Sequence, residues 1–141
     1  MTLSNQANDA EKAALIAELR QAGIKHAPEE IVRIGKTDRG TIIFLEIGKG
    51  GDRGSGLTHI IENHRQDFIN RDISESQIPD AVMAAVKYGT AIGTQGRSRT
   101  IYQIDINGIT QYISVEVSIN GYIVGANPTS TRLIQKFIQG Q

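Results

Sequence analysis

Hydrophobic and polar positions along the chain divide it into segments of different period. Ala13, Ile16, Ala17 and Arg20 share helical spacing, which predicts a first helix over residues 9–21, capped by Asn8 or Asp9 and closed by Gly23. The period then falls to two. Residues 31–35 and 41–47, separated by Thr37-Asp38-Arg39-Gly40, predict a hairpin, and Pro28-Glu29-Glu30 before it suits one turn of helix. A helical stripe returns at Leu57, Ile60, Ile61, His64 and Phe68, which sets His64 in the middle of an apolar face. Residues 78–88 predict another helix, with Pro79 in its first turn, Gly89 past its end, and Ile78, Val82, Ala85 and Val86 as its apolar side.

The rest alternates. Residues 93–99 read as a loop or ragged strand start, and residues 100–106, 109–119 and 122–126 as three antiparallel strands turning at Asn107-Gly108 and Asn120-Gly121. In the middle strand Ile113, Val115, Val117 and Ile119 are expected inward, and Tyr112, Ser114, Glu116 and Ser118 outward. Helices must cover one face, which leaves the other for polar work. Residues 129–141 suit a short terminal helix with a frayed end. The order predicts an α+β fold, N-terminal helices followed by a twisted antiparallel sheet. Residues 27–141 form the domain, and residues 1–26 are an N-terminal helix or a junction.

Composition narrows the functional classes. A chain of 141 residues is one domain's worth and can bury a real core. Lys and Arg number 15 and Asp and Glu 15, a net charge of zero that argues against a strongly basic nucleic-acid binder. The charges are unevenly placed, however. From Ala81 onward Lys87, Arg97, Arg99, Arg132 and Lys136 face only Asp105 and Glu116, so one part of the surface is expected to be more basic than the whole. Cysteine is absent, which excludes disulfides and thiolate metal sites and fits a reducing compartment or a module that unfolds in transit. No run reaches the ~18 apolar residues of a membrane span, so none is expected.

The chemistry gathers around Gly50-Gly51-Asp52-Arg53-Gly54-Ser55-Gly56 and the helix that follows. Such a loop before a helix can offer backbone N–H groups to a phosphate, with Lys49 and Arg53 as cationic neighbours. It is not a nucleotide P-loop, because no Gly-Lys-Ser/Thr closes it, and its plainer reading is flexible punctuation. His59 falls in the first helical turn, where the positive end of the dipole favours the neutral imidazole, the form that accepts a proton. His64 is either a second acid/base group or a satisfied structural histidine. The two are five positions apart and do not share a face, and no carboxylate cluster completes a ligand set, so neither metal nor cofactor is expected.

Arg97 and Arg99 suit two-pronged phosphate recognition, or else belong to a solvated loop. Tyr102 offers a phenol beside them. Thr129 and Ser130 offer hydroxyls, unless they cap the terminal helix. Histidine, arginine and hydroxyl donors suffice for RNA transesterification: a base takes the 2′-OH proton, cations stabilise the phosphorane, and an acid protonates the leaving 5′-oxygen. The expected catalytic set is His59, His64, Arg99, Tyr102 and Thr129, with Lys49, Arg53, Arg97 and Ser130 binding substrate.

The run Gly56-Leu57-Thr58-His59-Ile60-Ile61-Glu62-Asn63-His64, then a helix, an Arg-bearing strand and Tyr122-Ile123-Val124-Gly125-Ala126-Asn127-Pro128, resembles C-terminal toxin domains of bacterial polymorphic and contact-dependent inhibition (CdiA-type) systems. These belong to the barnase–EndoU–colicin–RelE superfamily of nucleases. The resemblance covers about residues 31–130 and is sharpest at the glycine loop and two histidines. It implies a metal-independent ribonuclease, often directed at tRNA, leaving 2′,3′-cyclic phosphate ends. It further implies a cognate immunity protein, a chain monomeric outside that complex, and delivery as the C-terminus of a larger secreted or surface protein into a target-cell cytoplasm. Zero net charge departs from the many basic members. The rival is a non-enzymatic domain that holds a protein partner in the helix–sheet cleft.

Overall fold

Helix α1 (Asp9–Gln21) ends at its glycine: the Gly23 N–H donates to Arg20 O at 3.2 Å and the Ile24 N–H to Leu19 O at 3.0 Å. These are the paired bonds of a Schellman end, and they bring Ile24 back onto the helix beside Leu19. A single 3-10 turn, Pro28–Glu30, leads into strand β1 (Ile31–Lys36), which pairs antiparallel with β2 (Ile42–Glu46). Ile43, Phe44 and Leu45 are all buried. Successive strand residues point to opposite sides, so both faces of this hairpin are covered. Phe44 packs with Leu19, Ile31 and Ile34 beneath α1, whereas Ile43 and Leu45 join the main core.

The computed structural model describes residues 9–139, with four helices and two antiparallel sheets among them. The Asn8 cap, the start of the junction and the last two positions of the terminal helix lie outside the described residues. Helix α2 (Gly56–Ile69) and helix α3 (Ile78–Tyr88) follow the hairpin. The second sheet runs in sequence order: β3 (Thr90–Gln95), β4 (Arg99–Ile106), β5 (Ile109–Val117) and β6 (Ile123–Pro128). Helix α4 (Thr131–Gln139) closes the described chain. None of these helices is long and apolar enough to cross a membrane.

Helix α3 presents Ile78, Ala81, Val82 and Ala85, all fully buried, to Ile104, Ile106, Ile113 and Val115 of the sheet. Helix α2 lies along β6 and adds Ile60 and Phe68 to the same core. The small sheet joins the large one where Phe44 bridges Tyr122 in parallel, with the Phe44 N–H donating to Gly121 O at 2.9 Å. Arg33 and Asp80, 2.6 Å apart and both half-buried, tie β1 to α3.

The structure departs from the sequence pattern in three places. The large sheet has four strands, not three, because residues 90–95 pair with β4 as an edge strand. That strand is mostly exposed and bulged between Ala91 and Gly93, so it carries little alternation to read. Ile119 is 100% exposed, not inward. Strand β5 stops at Val117, and Ile119 sits at the tip of a loop closed by the Gly121 N–H on Ser118 O at 2.9 Å. Ser114, expected outward, is fully buried because the second face is also partly covered. Gly93, Ile101, Ser114 and Asn127 form a row across that face, and the Phe137 ring of α4 would lie only 2.6 Å from a side chain at Gly93.

Helix α1 is held by Leu19, by the Lys12 ammonium on Ile31 O at 2.9 Å, and by the exposed Lys36–Glu18 pair. Leu19→Ala is expected to lower stability by about 2–5 kcal/mol. Urea unfolding checks this, and an unchanged midpoint would mean that α1 is only tethered to the fold.

Candidate active site

The glycine run is not flexible punctuation. Lys49 and Ser55 exchange backbone hydrogen bonds of 3.0 and 2.9 Å, and the Gly54 N–H returns to Gly51 O at 2.9 Å. The result is a small closed loop. The Thr58 N–H bonds Ile47 O at 2.8 Å, so the first turn of α2 is fixed to the chain entering the loop. The Tyr122 hydroxyl lies 2.8 Å from the Ser55 hydroxyl and fastens the loop to the sheet.

This platform orients His59. The Asn63 side-chain amide donates to His59 O at 2.9 Å, which fixes its nitrogen beside the ring, 3.1 Å from Nδ1. Nδ1 is then the acceptor, and in the neutral ring the proton sits on Nε2. Gly54 borders the Nδ1 edge, 2.9 Å from the position its own Cβ would take. The opposite edge faces the sheet, where His59 Cδ2 is 3.8 Å from the point a Gly125 side chain would occupy.

Arg99 reaches the same point from the other side. Gln95 pairs with Arg99, and Glu116 with Gly125, on the polar face of the sheet. From β4 the Arg99 guanidinium extends across β5 until Nη2 is 2.7 Å from the missing Gly125 side chain. Its Nη1 donates to Asn127 Oδ1 at 2.5 Å, and Asn127 Nδ2 donates to Gln95 Oε1 at 3.1 Å. Imidazole and guanidinium thus converge over a bare glycine, with Glu116 on the strand between. Among the described residues no cluster of three or more His, Cys, Asp or Glu side chains is placed to hold a metal.

Several expected residues are placed elsewhere. Tyr102 is three positions from Arg99 on a continuous strand, so it points to the opposite face. There it packs on the main core and lines a separate cleft with Arg39, Lys87 and Thr100. Thr129 is fully buried, its hydroxyl 2.7 Å from Ser114 Oγ and its carbonyl accepting from Arg71 at 2.8 Å, so it braces the end of β6. Ser130 caps α4, accepting from the Leu133 N–H at 3.2 Å, and it also lines a cleft beside Asn127. His64 lies on the side of α2 that carries Ile60, Ile61 and Phe68 but reaches the surface: its side chain is 27% exposed and Nδ1 lies 3.0 Å from Asp67 Oδ2. Lys49, Arg53 and Arg97 are exposed on the loop and the β3–β4 turn. Of the expected catalytic set, the structure brings together His59 and Arg99.

Glu116, Asn127 and Gln95 were not among the expected site residues. A signal for Glu116 was present, since Thr100 pairs with Val115 across the Asn107-Gly108 hairpin and the next step places Arg99 beside Glu116. No family model matches this chain, and no curated protein is significantly similar to it.

If the loop is a folded platform, its glycines are not equivalent. Gly48 and Gly51 both have positive φ, +68° and +87°, but a side chain at Gly48 would meet the Ser55 carbonyl at 1.9 Å, whereas Gly51 faces open space. Gly51→Ala is expected to cost about 1–2 kcal/mol from backbone strain alone. Gly48→Ala should cost about 3 kcal/mol or more. Thermal unfolding of both variants checks the order, and equal losses would point to a loose loop.

Proposed function

We propose that this domain is a toxic ribonuclease that cleaves RNA without a metal, leaving a 2′,3′-cyclic phosphate and a 5′-OH. The observation that carries the reading is the convergence of His59 and Arg99 over Gly125, beside Glu116. A phosphodiester seated on that glycine would meet a guanidinium, an imidazole edge and a carboxylate on one open face. RNA brings its own nucleophile, so the protein needs to position the chain and move two protons.

In the proposed reaction the Glu116 carboxylate takes the proton of the 2′-OH, and that oxygen bonds to phosphorus. Arg99, oriented by Asn127, stabilises the charge that gathers on the non-bridging oxygens. The bond from phosphorus to the 5′-oxygen breaks, and the His59 ring, protonated with the Asn63 amide turned away from Nδ1, gives its Nε2 proton to the leaving oxygen. Proton exchange with water restores both groups. The resemblance to toxin domains suggests tRNA as the first substrate to try, an immunity protein that covers the cleft, and delivery at the end of a larger protein.

Incubating the purified domain with total tRNA in EDTA tests the reading. His59→Ala and Glu116→Gln are expected to slow cleavage by about 10²–10⁴-fold. Arg99→Ala should slow it by about 10²–10³-fold. Tyr102→Phe, on the far face, should leave the rate unchanged. Absence of cyclic-phosphate ends, or a Tyr102→Phe defect as large as that of Arg99→Ala, would overturn the proposal.

A further inference from the structure

Next to Arg99 the polar face opens into a second feature. A cleft of about 530 Å³ lies between the ends of β3 and β6 and helix α4. Gln95 and Asn127 border it, Pro128 and Leu133 supply apolar wall, and Arg132 and Lys136 stand along α4. The volume falls in the range of small-ligand sites, about 300–1,000 Å³.

The cleft is joined to the candidate active site by one side chain. Asn127 Oδ1 accepts from Arg99 Nη1 at 2.5 Å, while its Nδ2 donates to Gln95 Oε1 at 3.1 Å. The amide pair therefore separates the guanidinium from the cleft by the width of a single residue. A polymer bound across Gly125 would run directly into it.

The lining selects what that neighbour is. Arg132 and Lys136 are four positions apart on α4 and so project on one side of the helix. Both are exposed, and neither has an ion-pair partner among the described residues. Two unpaired cations call for an anion. The Gln95 oxygen accepts one bond from Asn127 and its nitrogen makes only a long 3.4 Å contact, so one lone pair and one N–H remain for a polar planar edge. Pro128 and Leu133 offer apolar wall. A phosphate together with a heteroaromatic ring meets all of these features, and a protein side chain or free anion meets only some.

We propose that this cleft is a nucleotide subsite: it holds the nucleotide adjacent to the scissile phosphate, its base against Pro128, Leu133 and Gln95 and its outer phosphate on Arg132 and Lys136. The placement rests on the ribonuclease reading, but the site itself is testable without cleavage. It also accounts for the charge skew of the sequence, because four of the five cations after Ala81 are Arg97, Arg99, Arg132 and Lys136, all at this end of the sheet or in the turn beside it.

The test uses the full chain carrying His59→Ala, which removes turnover and leaves the cleft intact. The four nucleoside 5′-monophosphates and inorganic phosphate are titrated separately while amide resonances are followed. At least one nucleotide should shift Gln95, Asn127 and Leu133 and bind about tenfold or more tighter than inorganic phosphate. In the His59→Ala background, Arg132→Ala with Lys136→Ala should weaken that binding by about tenfold or more. Lys136→Arg should keep it. Both altered positions are on the exposed side of a helix, and an unchanged amide spectrum away from the cleft verifies the fold. Equal binding of phosphate and nucleotides, or undiminished binding by the double alanine variant, would overturn the subsite. In the active protein the double variant should raise KM for RNA and leave kcat unchanged. Nucleotide binding without any RNA cleavage would instead overturn the ribonuclease reading and leave the subsite standing.

Discussion

The candidate site depends on an absence. At Gly125 there is no side chain, and into that space come the Arg99 guanidinium from two strands away and the His59 ring from the end of a helix. A Cβ there would stand 2.7 Å from Arg99 Nη2 and 3.8 Å from His59 Cδ2. Because Glu116 is paired with Gly125, the same row places a carboxylate residue next to the glycine on the strand between Arg99 and Gly125. The polar face of the sheet can therefore gather three kinds of chemistry without burying any of them. This is possible because most of the apolar side chains of the strands are buried on the other face, under α2 and α3.

Two devices hold the converging groups. On one side is the closed glycine loop, whose backbone bonds between Lys49 and Ser55 fix where α2 begins, and whose Tyr122 contact ties that start to the sheet. On the other is Asn127, which grips Arg99 and is itself gripped by Gln95. Both use small polar or glycine positions where bulk would collide. Beneath them the core is built from close-packed apolar side chains on β2, α3 and β5, which tolerate little repacking. Rigid elements thus carry the polar residues, the condition for aligning a proton donor and a cation on one phosphate.

Much of this was legible in the sequence. Periodicity and turn residues placed α1, the first hairpin, α2, α3 and the Asn107-Gly108 hairpin close to where they lie. The α+β class followed from their order. Strand β3 escaped because an exposed, bulged edge strand with Gly93 at its centre has no buried face to impress a pattern on its sequence. Tyr102 was grouped with Arg99 by proximity along the chain, although a separation of three in a strand reverses the face. Thr129 and His64 show a different limit. Whether a hydroxyl is spent on Ser114, or an imidazole meets Asp67 at the surface, is decided by tertiary neighbours that no local pattern names. Asn127 and Gln95 matter only as partners of Arg99, and partnership across strands appears once the register is known.

The account stands or falls on whether His59 and Arg99 act on the same phosphate. A double-mutant cycle on RNA cleavage measures this directly, comparing kcat/KM for the parent, His59→Ala, Arg99→Ala and the double variant. Groups working as one unit give strongly non-additive losses, so the double variant should be about as slow as the worse single one. Losses that simply multiply would place the two residues in separate sites and contradict the account.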